Sequence, residues 1–128
     1  MLNHVTLSTV DVDRAARFYG RVLGAIGVSQ LHSRNSLDGA LTQVGYGSDG
    51  SSYFWITGGA SRSSLVHVAF SASSKEQVDA FFQAALDAGG ADNGAPGFRP
   101  RYHPNYYAAF IFDPDGNNIE AVWFERNG

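Results

Sequence analysis

The chain has 128 residues, 44% of them hydrophobic, which is enough for one compact domain with its own core. A formal charge of −3 with a single lysine, Lys75, argues against a nucleic-acid or membrane-surface footprint. No cysteine is present, so disulfides, thiolate metal sites and cysteine nucleophiles are excluded.

The opening stretch MLNHVTLSTVDVDR has no basic region followed by a long apolar run. Nowhere does an apolar segment reach the roughly 18 residues that a membrane span needs. A soluble cytoplasmic protein is the expectation. Residues 2–8 alternate, with Val5 and Leu7 on one face and His4, Thr6 and Ser8 on the other, which predicts a strand. Asp11 is placed to cap a helix. Ala15, Phe18, Tyr19, Val22 and Leu23 then form an apolar stripe of helical spacing, and Gly24 stands near its end. Strand-like runs follow over about 26–33, 39–46 and 51–58.

The same order then begins again. VHVAFSASSKEQVDAFFQAALDAGG (66–90) aligns with NHVTLSTVDVDRAARFYGRVLGAIG (3–27), placing His67 on His4, Val68 on Val5, Phe81 on Phe18 and Leu86 on Leu23. The strand over 65–71 puts Val66, Val68 and Phe70 on one face and His67 on the other. Val78, Phe81, Phe82, Ala85 and Leu86 repeat the helical stripe. Ser74 with Gln77 reads as a capping box, and Gly89 stands near the helix end. The segment GGADNGAPGFRPRYHPN reads as a long loop with a weak strand signal near 91–95, followed by clear strands at 106–112 and 117–125. The chain is therefore a β-α-β-β-β unit written twice. It predicts one α+β domain over 1–128, with modules at 1–60 and 64–128 paired into a curved mixed sheet around a concave cup.

Glu120 lies in the apolar run IEAVWF, where a carboxylate is costly without a partner. SDGSSYFWI and PDGNNIEAV share an Asp-Gly turn, and in that alignment Glu120 corresponds to Phe54. His4 and His67 occupy equivalent positions on equivalent strands. Two imidazoles and a carboxylate converging on a concave sheet suit a divalent metal with open positions for substrate.

The paired repeat, the strands NHVTL and VHVAF and the ending DPDGNNIEAV together resemble the vicinal oxygen chelate superfamily, the glyoxalase, bleomycin-resistance and extradiol-dioxygenase group. The resemblance covers nearly the whole chain and implies a cupped sheet around a divalent ion, Fe, Mn, Ni or Zn, held by His4, His67 and Glu120. It implies a lyase, isomerase or dioxygenase acting on a small molecule chelated through neighbouring oxygens, in a homodimer. The fourth ligand of glyoxalase I is missing, because SSYFWITGG places Phe54 or Trp55 where it would stand. The metal-free alternative is a sequestering protein of the bleomycin-resistance type.

RPRYHPNYY reads as a substrate lip, with Arg101, Tyr106 and Tyr107 as binding residues, and the resemblance to extradiol dioxygenases implies for His103 the role of an acid/base group beside Glu120. Phe54 is expected to line the cup. GYGSDG matches a nucleotide-loop pattern, but a strand rather than a helix follows it, so it reads as a hairpin turn. No G-x-S-x-G elbow is present, which disfavours a serine hydrolase.

Overall fold

A computed structural model describes residues 1–126. The first module runs β1 (Val5–Thr9), α1 (Val12–Gly24), β2 (Ser29–Asn35), β3 (Leu41–Ser48) and β4 (Ser51–Gly58). The second runs β5 (His67–Ser71), α2 (Lys75–Asp87), β6 (Ala91–Phe98), β7 (Tyr106–Phe112) and β8 (Asn118–Phe124). No helix among the described residues is long and apolar enough to cross a membrane.

Local chemistry sets the helix starts. Asp11 Oδ1 accepts from the Arg14 amide at 3.0 Å, and Ser74 Oγ from the Gln77 amide at 3.1 Å. The expected capping box is shifted by one residue, because Gln77 Oε1 accepts from the Ser73 amide rather than that of Ser74. All five stripe residues of α1 are buried. On α2, Val78, Phe81 and Ala85 are buried, while Phe82 is half-buried and Leu86 is exposed at the shoulder of the stripe.

Each module folds its strands into a mixed sheet, ordered β1-β4-β3-β2 and β5-β8-β7-β6. The first strand of each module pairs in parallel with the last, and the other pairs are antiparallel. The mixed sheet expected from the repeat is thus built as two four-stranded sheets. Among the described residues β1 and β5 each pair on one side only, and no ladder joins the modules. Side chains join them instead. Phe54 meets Phe70 edge-on at 5.2 Å between ring centroids, and one apolar core runs through both modules.

One of two segments singled out from sequence folds as expected and the other does not. GYGSDG is the β3–β4 hairpin, with Asp49 and Gly50 at φ of 55° and 82°, as its Asp-Gly step requires. The region that reads as a loop contains the eight-residue strand β6. Gly94, Pro96 and Gly97 hide its strand pattern, yet β6 is an edge strand, where proline is tolerated. It pairs with β7 through two register shifts.

Candidate functional site

β8 alternates sharply. Ile119 and Ala121 belong to the core that packs against α2, so Asn118 and Glu120 fall on the opposite face of the sheet. Parallel pairing sets His67 of β5 against Asn118, and antiparallel pairing sets Phe110 of β7 against Glu120. His67 Nε2 then donates to Glu120 Oε1 at 2.8 Å. The hydroxyl of Tyr106 donates to the other carboxylate oxygen. The Glu120 side chain is 2% exposed and that of His67 50%. No arginine or lysine among the described residues pairs with Glu120; His67 is its single ion-pair partner. Burial above all, and then the bond to Glu120, push the Tyr106 phenol well above its ordinary value, so it stays a donor at neutral pH.

A cavity of about 400 Å³ opens in front of His67, walled by Phe110, Asn118, Arg99, Arg101 and Tyr102. Asn118 Oδ1 is buried there without a hydrogen-bond partner. The alternation of β8 already placed Asn118 on the face of Glu120. Phe110 needed the β7–β8 register, which no sequence pattern supplies.

The residues singled out from sequence divide. His67, Glu120 and Tyr106 are joined by hydrogen bonds, and Arg101 shares the cavity wall with His67. His4 does not join them. It precedes β1, is exposed, donates from Nδ1 to Asn3 Oδ1 at 2.7 Å, and lines a separate cavity of about 310 Å³ with Val28, Phe54, Val68 and Phe70. Tyr107 faces the other way, because neighbours on a strand alternate. It is 6% exposed, donates to Asp79 Oδ1 of α2 at 2.5 Å, and burial pushes its phenol up to about 12. His103 sits in the β6–β7 connection, accepting from the Asn105 amide at 3.1 Å and packing edge-on against Phe124.

The register corrects the partner of Glu120 in the first module. Val5 faces Phe54 as Val68 faces Ile119, so Phe54 is the counterpart of Ile119 and Trp55 the counterpart of Glu120. Phe54 is 1% exposed, packs on Tyr19 and Phe70 in the core, and lines the His4 cavity rather than the one in front of His67. Trp55 stacks with His32 at 5.6 Å.

The donor chemistry fits a divalent cation in part. An imidazole nitrogen and a buried carboxylate lie side by side, and among the described residues no lysine or arginine neutralises the carboxylate. Among the described residues no group of three or more His, Asp or Glu side chains is gathered within one chain. A three-ligand protein site is therefore incomplete in one copy.

Paired β-α-β-β-β modules with a His–Glu pair on the open face of the second sheet define a class of protein. Residues 1–121 match the Glyoxalase/Bleomycin resistance protein/Dioxygenase superfamily, and the chain belongs to it. No curated protein matches the chain by sequence. Among solved structures it is similar to a glyoxalase/bleomycin resistance protein from Albidiferax ferrireducens T118, at 29% identity and a TM-score of 0.78 over 96% of this chain and 98% of that one. A glyoxalase/bleomycin resistance protein/dioxygenase family enzyme from Burkholderia phytofirmans PsJN shares the fold at 22% identity and a TM-score of 0.72, covering 97% and 98%. TioX from Micromonospora sp. ML1 does so at 18% identity and 0.69, covering 98% and 97%.

Proposed function

We propose that the protein is a metal-dependent enzyme of its superfamily acting on a small molecule. His67 and Glu120 hold a divalent ion, and His4 joins them from a second copy of the chain in a homodimer. The burial of Glu120, which among the described residues is met by a half-exposed histidine and a phenol but by no arginine or lysine, carries this reading, since a buried carboxylate left without its partner costs ~3–5 kcal/mol and a divalent ion would supply the charge to hold it. The position of His4 apart from the pair is the reason for a second copy.

An ion of this kind, when bound, supplies a Lewis acid for neighbouring oxygens of a substrate, as lyase, isomerase or dioxygenase chemistry requires. The protein's own groups prepare the place. Tyr106 holds one carboxylate oxygen and so orients the other. His67 must be neutral to serve as a ligand, and it gives up its bond to Glu120 in doing so. Arg99 and Arg101 line the cavity with His67, where they attract and orient an anionic group.

The 2.8 Å contact favours a second reading, in which His67 and Glu120 satisfy each other and the cavity sequesters a ligand without chemistry. Metal analysis separates the two. Protein purified without a chelating tag should hold Fe, Mn, Ni or Zn in proportion to chain, and His4→Ala and His67→Ala should each lose it. Unfolding and refolding the two variants together should restore about a quarter of the wild-type metal, because half the dimers are mixed and each has one intact site. No restoration in the mixture, with metal still lost in both variants, rejects the shared site. Metal-free wild type that cannot be reloaded leaves the sequestering reading.

A further inference from the structure

We infer that the cavity in front of His67 takes a small organic anion with a planar face: a carboxylate joined to an aromatic or conjugated group. This deepens the proposed function, since it rests on that reading for placing substrate beside His67. The cavity carries two guanidinium groups, Arg99 and Arg101, and no acidic residue among the described residues lines it. Among the described residues neither arginine takes part in an ion pair. Two cations sharing one concavity repel each other, and an anion between them relieves this.

Arg99 is held ready for such a ligand. Nη1 donates to the Gly97 carbonyl at 2.8 Å and Nη2 to the Ala95 carbonyl at 2.7 Å. Those bonds fix the plane of the group and leave about three of its five N–H donors free. Its central carbon lies 5.4 Å from the centre of the Phe110 ring. Gly94 makes the approach possible. A Cβ there would stand 3.1 Å from the Phe110 ring and 3.3 Å from Arg99 Nη2, and its φ of +148° disfavours any other residue.

The rest of the wall is aromatic. His67 and Phe110 present their rings at 6.1 Å and 53° to one another, and Tyr102 closes the rim. A volume of about 400 Å³ lies within the range of small-molecule sites and exceeds what inorganic phosphate would fill. Charge therefore selects the anion, and the rings select a flat partner for it.

Benzoate is the probe, with acetate, benzyl alcohol and inorganic phosphate as controls, titrated calorimetrically. Benzoate should bind at least about tenfold more tightly than each control. Arg99→Gln and Arg101→Gln should each weaken it by about 5- to 20-fold and leave benzyl alcohol unchanged. Arg99 braces β6, so its loss can unsettle the strand. Arg101 is exposed and makes no hydrogen bond among the described residues, so its variant keeps the test decisive. Benzyl alcohol or phosphate binding as tightly as benzoate overturns the proposal, as does indifference to Arg101→Gln. Titration before and after chelation separates this subsite from the metal reading. Benzoate binding to a protein that never holds metal leaves the subsite standing, and a metal-loaded protein blind to benzoate overturns the subsite alone.

Discussion

Tyr19 of the first helix donates its phenol hydrogen to Asp113, 94 residues further on, in the turn before the last strand. Asp113 is 6% exposed, and it also accepts from the Asn117 amide at 2.8 Å, the Asn117 side chain at 2.9 Å and the Asp115 amide at 3.0 Å. One carboxylate thus ties the closing turn of the second module to the helix of the first. Tyr19→Phe should lower stability by about 1–3 kcal/mol, because it removes one donor from a buried acceptor and leaves the rest. Urea denaturation would show a lower midpoint at unchanged slope; an unchanged midpoint would sink the idea.

The same residue predicts an alkaline limit. Burial first, and the Asp113 charge next, hold the Tyr19 phenol well above its ordinary value of 10.0. A group raised on folding contributes stability that is fully present below its unfolded value. That contribution is lost as pH rises through the folded value. Stability should therefore decline above about pH 10 in wild type, with a shallower decline in Tyr19→Phe. Parallel declines in the two proteins would assign the effect elsewhere.

Glu120→Gln separates stability from function. The amide keeps the shape and can still bond to His67 and Tyr106, while it removes a buried charge. In chelator-treated protein the variant should match wild type or exceed it by about 1 kcal/mol, and it should fail to retain metal. A large loss of stability without metal would show that the charge itself is structural.

Tyr106→Phe tests the group behind the carboxylate. It deletes the hydrogen bond to Glu120 and should weaken metal retention by about 10- to 100-fold while the fold persists. The ultraviolet titration should lose one phenol that ionises above the ordinary range. Metal affinity equal to wild type would reduce Tyr106 to a packing residue.

Gly45 meets the Trp55 ring, and a Cβ on it would lie 2.6 Å from that ring. Gly45→Ala should destabilise by about 1–3 kcal/mol through overpacking, with altered tryptophan fluorescence. Adding Trp55→Leu should recover part of the loss. A Gly45→Ala protein as stable as wild type would mean that the ring moves aside freely.

Much of this was legible in the chain itself. The doubled order β-α-β-β-β, the two helix faces, both N-cap residues and the Asp49-Gly50 hairpin follow from periodicity and turn chemistry, which act over a few residues. So does the face of β8 that carries Glu120. What acts between strands was not legible. The strand β6 is masked by Gly94, Pro96 and Gly97, and only its pairing with β7 makes it a strand. The counterpart of Glu120 is Trp55 rather than Phe54, because ladder register, not distance from the Asp-Gly turn, sets which residues face each other.

The sequence by itself determined the repeat, and with it the family and the presence of two histidines and a carboxylate at related positions. Only the tertiary structure decided which of them meet. His67 reaches Glu120 because β5 and β8 are hydrogen-bonded neighbours, whereas His4 stands before β1, a strand that among the described residues shares no ladder with the second sheet. A repeat in sequence records equivalent places in two modules. How the modules sit against one another is set by the apolar contacts between them, such as Phe54 on Phe70, and by the bond from Tyr19 to Asp113.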